Sequence, residues 1–312
     1  MKNIIVLTVL FSFFFGNGQK SKLSSEHYQN VRKAFRQKMP DNSVAVLFSA
    51  PIRNRANDVD YIYHQDPNFF YLTGWHQPHS VLMIYKNPQS DSDGVYYEKI
   101  YVPERDNYME MWNGKRYDLE QVKQLGYQRV AERLDFKNDC DDLGSFDQVL
   151  MFEFKNDIRN QNTYVFKDNI RFKVDDPHDL FDLKATFREA INFPNNFNRL
   201  AHKAYQRIME ADQESLEKIK EEVEYLVKRD SLLMEDEIIR DFLKEPDQDF
   251  YREVKRKTAF ALQNYNFDLE TLPIIMRDMR EIKTKNEIDL LKKAVAISVV
   301  GQIEVMKAMG VN

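Results

Sequence analysis

The chain has 312 residues, enough for about two domains, with 43% apolar and 30% charged residues, so a packed core is expected and disorder is not. Only 9 glycines are present, with no G-x-G-x-x-G and no Walker-type loop, which argues against a glycine-rich nucleotide site. The net charge of -5 offers no broad basic face, so nucleic acid is not an expected partner.

The chain opens on a targeting signal. Lys2 supplies the positive start, residues 4–15 form an apolar run, and Gly16 and Gly18 offer small residues at a cleavage point. The run is too short for a bilayer, which takes about 20 residues. A signal peptide over 1–18 and a secreted or periplasmic mature chain from near Gln19 are expected. The alternative is an uncleaved anchor, and no further transmembrane segment is predicted.

Ser24 and Ser25 can cap a helix that carries Tyr28, Val31, Phe35 and Met39 at helical spacing, and Pro40 ends it. Residues 43–48 read as a buried strand, and polar residues 54–60 as a loop. An aromatic stretch from Asn68 to Trp75 turns at Thr73 and Gly74. Strands are predicted over 80–85 and 96–102, joined by a hairpin-like loop at 87–94. Asp118 can cap a short helix ending near Gly126, and 147–152 reads as a fourth strand. Helices alternating with short strands indicate an α/β domain with a mixed sheet.

Between Pro194 and Pro246 the texture changes. Leu200, Ala204, Ile208, Ala211, Ser215, Ile219, Val223 and Leu226 recur every three or four residues, predicting one long amphipathic helix with a charged outer side. Such a helix either lies on the domain or mediates self-association. Last, Thr284 and Glu287 form a capping box opening a helix over 285–309, with Gly310 as its C-cap. Its Ile288, Leu291 and Val295 share a face that needs a packing partner.

The single cysteine, Cys140, excludes an intrachain disulfide and reads as a packing residue rather than a nucleophile, since no supporting base stands out. Among the six histidines, His76 and His79 form an H-x-x-H pair, but Pro78 excludes the helix a zincin site requires. Asp139, Asp141 and Asp142 read as a solvated acidic turn, with weak cation binding as the alternative.

Two stretches resemble aminopeptidase P, the Xaa-Pro aminopeptidases. One spans about 28–126. It contains Arg55-Ala56-Asn57-Asp58, Tyr61-Ile62-Tyr63-His64-Gln65-Asp66 and Phe69-Phe70-Tyr71-Leu72-Thr73-Gly74-Trp75, then Tyr101-Val102-Pro103 and Glu110-Met111-Trp112-Asn113-Gly114-Lys115-Arg116. The other, 272–309, contains Met279-Arg280-Glu281-Ile282-Lys283-Thr284 and resembles the entry to the family's catalytic domain. Residues 150–265 do not match the family's usual middle.

The resemblance implies a creatinase/prolidase-type amino-terminal domain over 24–265, with a mixed sheet flanked by helices and a helical insertion at about 195–245. The first helix of a pita-bread catalytic domain would follow within 270–312. It implies release of the residue before proline from proline-containing peptides, two manganese ions as cofactor, and a homo-oligomer. The family's Asp, Asp, His, Glu and Glu ligands fall after the last helix, so none carries over and the 312 residues alone are expected to be inactive. Two residues are implied to lie near substrate. Trp112 corresponds to a tryptophan that borders a neighbouring subunit's site in oligomeric relatives; the alternative is a packing indole. Asp58 resembles an aspartate ordering charges at the mouth; the alternative is a loop residue paired with Arg55. A prolidase-like or creatinase-like activity, or a non-enzymatic assembly module docking through the two helices, are the other readings.

Overall fold

The computed structural model describes residues 23–309 apart from 57–58, 106, 155–163, 168–169, 174–179, 194–197, 245–247 and 263–264. The signal segment, Asp58, His178, Pro194, Pro246 and Gly310 therefore lie outside the described residues.

Helix α1 (Ser25–Lys38) starts where Ser24 accepts the His27 N–H, and it buries Val31 and Phe35 as the spacing requires. β1 (Ser43–Phe48) follows. The polar stretch read as a loop instead holds two short paired strands, β2 (Asn54–Ala56) and β3 (Val59–Asp60). α2 (Pro67–Thr73) ends on Gly74, whose φ of 63° is left-handed. The hairpin of β4 (Val81–Asp91) and β5 (Gly94–Val102) runs further than predicted, because pairing resumes at Gln89 after a register shift beyond Ile84. α3 (Asn107–Asn113) and α4 (Leu119–Gln124) lead to β6 (Arg129–Glu132), α5 (Phe136–Asp139) and β7 (Gln148–Met151). Asp118 caps α4 in a full capping box with Gln121. β8 (Tyr164–Lys167) and β9 (Ile170–Lys173) pair only with each other among the described strands. Then come α6 (Leu180–Ala190), α7 (Arg199–Glu210), α8 (Leu216–Arg229), α9 (Glu237–Leu243), α10 (Gln248–Leu262), β10 (Phe267–Asp268), α11 (Thr271–Glu281) and α12 (Lys285–Ala308).

The main sheet has the order β10-β7-β1-β4-β5-β6. β1 pairs parallel with β7 and antiparallel with β4, and β10 and β6 extend the two ends in parallel. The sheet is therefore mixed. Strand alternation splits the core in two. Ala45, Leu47, Leu82 and Ile100 face α1, α2 and α11. Val44, Val46, Met83, Tyr101 and Val149 face α5 and α6, through Phe136, Leu183 and Phe187. Full burial of each Val, Leu, Ile, Met or Phe among them contributes about 1.5–3 kcal/mol relative to exposure.

A charged pair is buried within the first layer. Arg32, only 1% exposed, makes a two-pronged pair with Glu98 at 2.7 and 2.9 Å. Its remaining N–H groups donate to the carbonyls of Leu72 and Gly126, and its guanidinium lies 4.5 Å over the Tyr127 ring. The pair ties α1 to β5, to the end of α2 and to the loop after α4. Removal of one partner of such a pair costs about 3–5 kcal/mol.

The single long helix expected over 200–226 is two helices. α7 stops at Ala211, and Asp212 accepts the N–H groups of Glu214 and Ser215 and the Ser215 hydroxyl. A side chain that satisfies local backbone donors in this way competes with helix continuation. The apolar spacing continues across the break because both helices pack on one core, with Ile208, Ile219, Val223, Phe242 and Val254.

Candidate functional site

The strands β1, β7 and β10 end at the same edge, and the chain leaves them in different directions. After β1 it turns to α2 on one layer; after β7 it reaches α6 on the other. Diverging connections beyond the carboxyl ends of parallel strands open a crevice. Here the crevice is a cleft of about 1310 Å³ lined after β1 by residues 49–51, 53, 55 and 60–68, after β7 by Phe152, Glu153 and Phe154, and after β10 by Leu269.

The loop after β1 is built around Gln65. Its side-chain oxygen accepts the N–H groups of Ala50 (2.8 Å) and Asp66 (2.9 Å), and its amide donates to the carbonyls of Trp75 and Gln77 at 3.1 Å. The Tyr63 hydroxyl donates to the Ala50 carbonyl. Burial, then the Asp66 charge, push the Tyr63 phenol above its ordinary range. Asp66 accepts from Asn68 and Phe69 N–H and so caps α2. Buried Trp75 donates to the Ser80 hydroxyl, and the Tyr71 hydroxyl donates to Met279 on α11. The loop therefore has a fixed base, while Tyr61 and Ile62 stand exposed on the rim, at 58% and 86%. On the opposite side, Arg199 at the start of α7 joins Glu153 (3.1 Å) to Glu270 (3.2 Å).

The second quoted block leaves β5 at this same edge, since β5 runs parallel to β1 through their shared antiparallel neighbour β4. Arg105 grips Glu110 with two hydrogen bonds of 2.8 and 2.9 Å, and Glu110 also accepts the Arg116 N–H. The Arg105 hydrogen bonds hold the Glu110 carboxyl down to about 2. Gly114, at φ 82°, donates its N–H to the Glu110 carbonyl and ends α3. The Glu-x-Trp-x-Gly-x-Arg spacing is thus a clamp around one helical turn, and Trp112 sits in α3.

Asp58 lies outside the described residues. The structure places Trp112 on the same sheet edge as the cleft, two strands further along. His76 and His79 lie in a loop, with the His76 ring 4.5 Å from that of Phe70. Asp139 is more constrained than a solvated turn: Lys99 donates to it at 2.5 Å and the Tyr101 hydroxyl also donates to it. Cys140 is fully buried in the second layer. No sequence motif singles out Arg188, Arg199 or Glu153, which lie in the region without resemblance.

Among the described residues no three His, Cys, Asp or Glu side chains converge to hold a metal ion. These residues do not fit a two-manganese centre, and no hydrolytic step is assigned to them. Nor is any described helix long and apolar enough to cross a membrane.

A mixed sheet layered by helices, with functional loops at its carboxyl edge, defines an α/β domain of the kind that the two sequence blocks imply. Residues 28–145 match the family model "Aminopeptidase P, N-terminal domain", and this chain carries that domain. It is 38% identical over 95 residues to intermediate cleaving peptidase 55 of Schizosaccharomyces pombe, which is 30% of this chain and 19% of that protein. It is 31% identical over 111 residues to the Xaa-Pro aminopeptidase of Escherichia coli, which is 35% of this chain and 24% of that protein. The match thus spans a quarter or less of these two relatives. Among solved structures, the aminopeptidase PepP of Pseudomonas aeruginosa has a TM-score of 0.42 and 20% identity, over 67% of this chain and 50% of that one.

Proposed function

We infer that this chain serves as the amino-terminal part of an exported Xaa-Pro aminopeptidase, a manganese-dependent enzyme that releases the residue preceding proline. The observation that carries this reading is the match of 28–145 to the aminopeptidase P amino-terminal domain, with the same blocks forming the Gln65-centred loop and the Arg105–Glu110 clamp. The domain's part is positional. A fixed loop base presents Tyr61 and Ile62 at one edge, and the clamp presents the helix bearing Trp112 at the same edge. In this reading Asp58 and Trp112 lie near bound peptide, residues 1–18 direct export, and 24–265 and 270–312 belong to successive domains. Metal ligands come from outside the described residues, and the 312 residues alone release nothing.

Two assays test the reading. In the first, the purified 312-residue chain is given manganese and an Xaa-Pro peptide, and no free first residue is expected. Robust release contradicts the inactivity. In the second, residues 28–145 replace the matching segment of the E. coli Xaa-Pro aminopeptidase, and proline-specific release is expected to persist. A folded chimera without release contradicts the family role.

A further inference from the structure

The cleft has a basic wall that the signature loop does not explain. On α6, Lys184 and Arg188 stand one turn apart over a group of aromatic rings. The Arg188 guanidinium lies 4.8 Å from the Phe193 ring centre and 5.9 Å from that of Phe154. The Lys184 ammonium lies 5.6 Å from Phe154 and 5.9 Å from Phe48. Beneath them Phe48, Phe154 and Phe187 pack edge to face at 5.4–5.9 Å, forming a rigid apolar floor.

Among the described lining residues, basic side chains outnumber acidic ones. Arg53, Arg55, Lys184, Arg188 and Arg199 line the cleft against Asp60, Asp66 and Glu153. Asp66 is engaged as the cap of α2, and Glu153 is held by Arg199. Among the described residues no carboxylate pairs with Arg188, which is half-buried. A partly desolvated guanidinium held over aromatic rings is a ready fork of donors for a carboxylate, and no described counter-charge occupies that fork. The location is the crevice beyond the carboxyl ends of parallel strands, where open α/β sheets bind ligands.

We propose that this cleft binds a small organic anion, a carboxylate borne on an aromatic or apolar body, with Arg188 as its anchor and Phe154 and Phe193 as its wall. Lys184 adds positive charge next to the anchor, and the ring floor takes the apolar body.

The test uses N-acetyl-phenylalanine and N-acetyl-phenylalaninamide, which differ in the carboxylate alone, titrated calorimetrically into the 312-residue chain. The acid is expected to bind at least about tenfold more tightly than the amide, and Arg188→Gln to weaken the acid by a similar factor while the melting transition is retained. Equal affinity for acid and amide overturns the proposal. So does no binding of the acid up to about 10 mM, or undiminished binding by Arg188→Gln. If Arg188→Gln does not fold, Lys184→Gln replaces it: the acid is expected to weaken and the amide to be unaffected, and an unchanged acid affinity counts against the site.

Discussion

Helices α1 and α12 are opened by the same device: the Ser24 hydroxyl accepts the His27 N–H at 3.2 Å, and the Thr284 hydroxyl accepts the Glu287 N–H at 3.3 Å. Beyond the first turn they differ. α1 buries Val31, Arg32 and Phe35, whereas no residue of α12 is buried, and Leu291, Val295 and Ile297 are each more than half exposed. A cap fixes where a helix starts; burial of one face determines whether it adds to the stability of the fold.

The largest effect is expected within α1. Arg32→Ala leaves Glu98 buried without its partner, and denaturant unfolding should show a loss of about 3–5 kcal/mol. Val295→Ala on α12 should stay within about 0.5 kcal/mol by the same measurement, and similar losses at the two sites would break the contrast. A smaller effect is expected at Gly74, against which α1 packs. A Cβ there would stand 2.3 Å from the Tyr28 ring in a left-handed backbone, so Gly74→Ala should lower stability by about 1–3 kcal/mol. An unchanged melting transition would show that Tyr28 yields freely.

Thr284→Ala removes one half of the α12 capping box and weakens the first turn by about 1 kcal/mol. Faster amide exchange at Glu287 and Ile288 with unchanged global stability is expected; a global loss would mean that α12 is coupled to the core. The smallest effect concerns acid. The Glu110 carboxyl is held at about 2 against an ordinary 4.5, so its clamp contributes fully above about 4.5 and is lost as pH falls through about 2. A carboxyl titration of Glu110 by nuclear magnetic resonance should have its midpoint near 2, and a midpoint near 4.5 would mean that Arg105 does not grip it.

Local signals account for much of the fold. β1 and α1 were legible because an apolar run and a capped amphipathic stripe need no distant partner to be recognised. Thr284 and Asp118 were legible from their boxes. The split at Ala211 was hidden because the stripe repeats on both sides of the Asp212 turn and packs on one core. β6 and β10 are short edge strands, the latter only Phe267 and Asp268, whose pairing depends on neighbours far along the chain. The Arg32–Glu98 pair joins residues 66 positions apart, which no spacing rule reveals. For the site, the quoted family blocks located the cleft's signature loop and the clamp. Arg188 was not legible, because its role comes from Phe154 and Phe193 meeting it in space and not from any motif in sequence.

Amide hydrogen exchange along the whole chain separates the packed α1 from the exposed α12. The buried turns of α1 around Val31 and Phe35, together with β1, should exchange only through global unfolding, while the middle of α12 around Val295 exchanges orders of magnitude faster, close to an isolated helix. Protection of α12 equal to that of α1 in the monomeric chain would contradict that contrast.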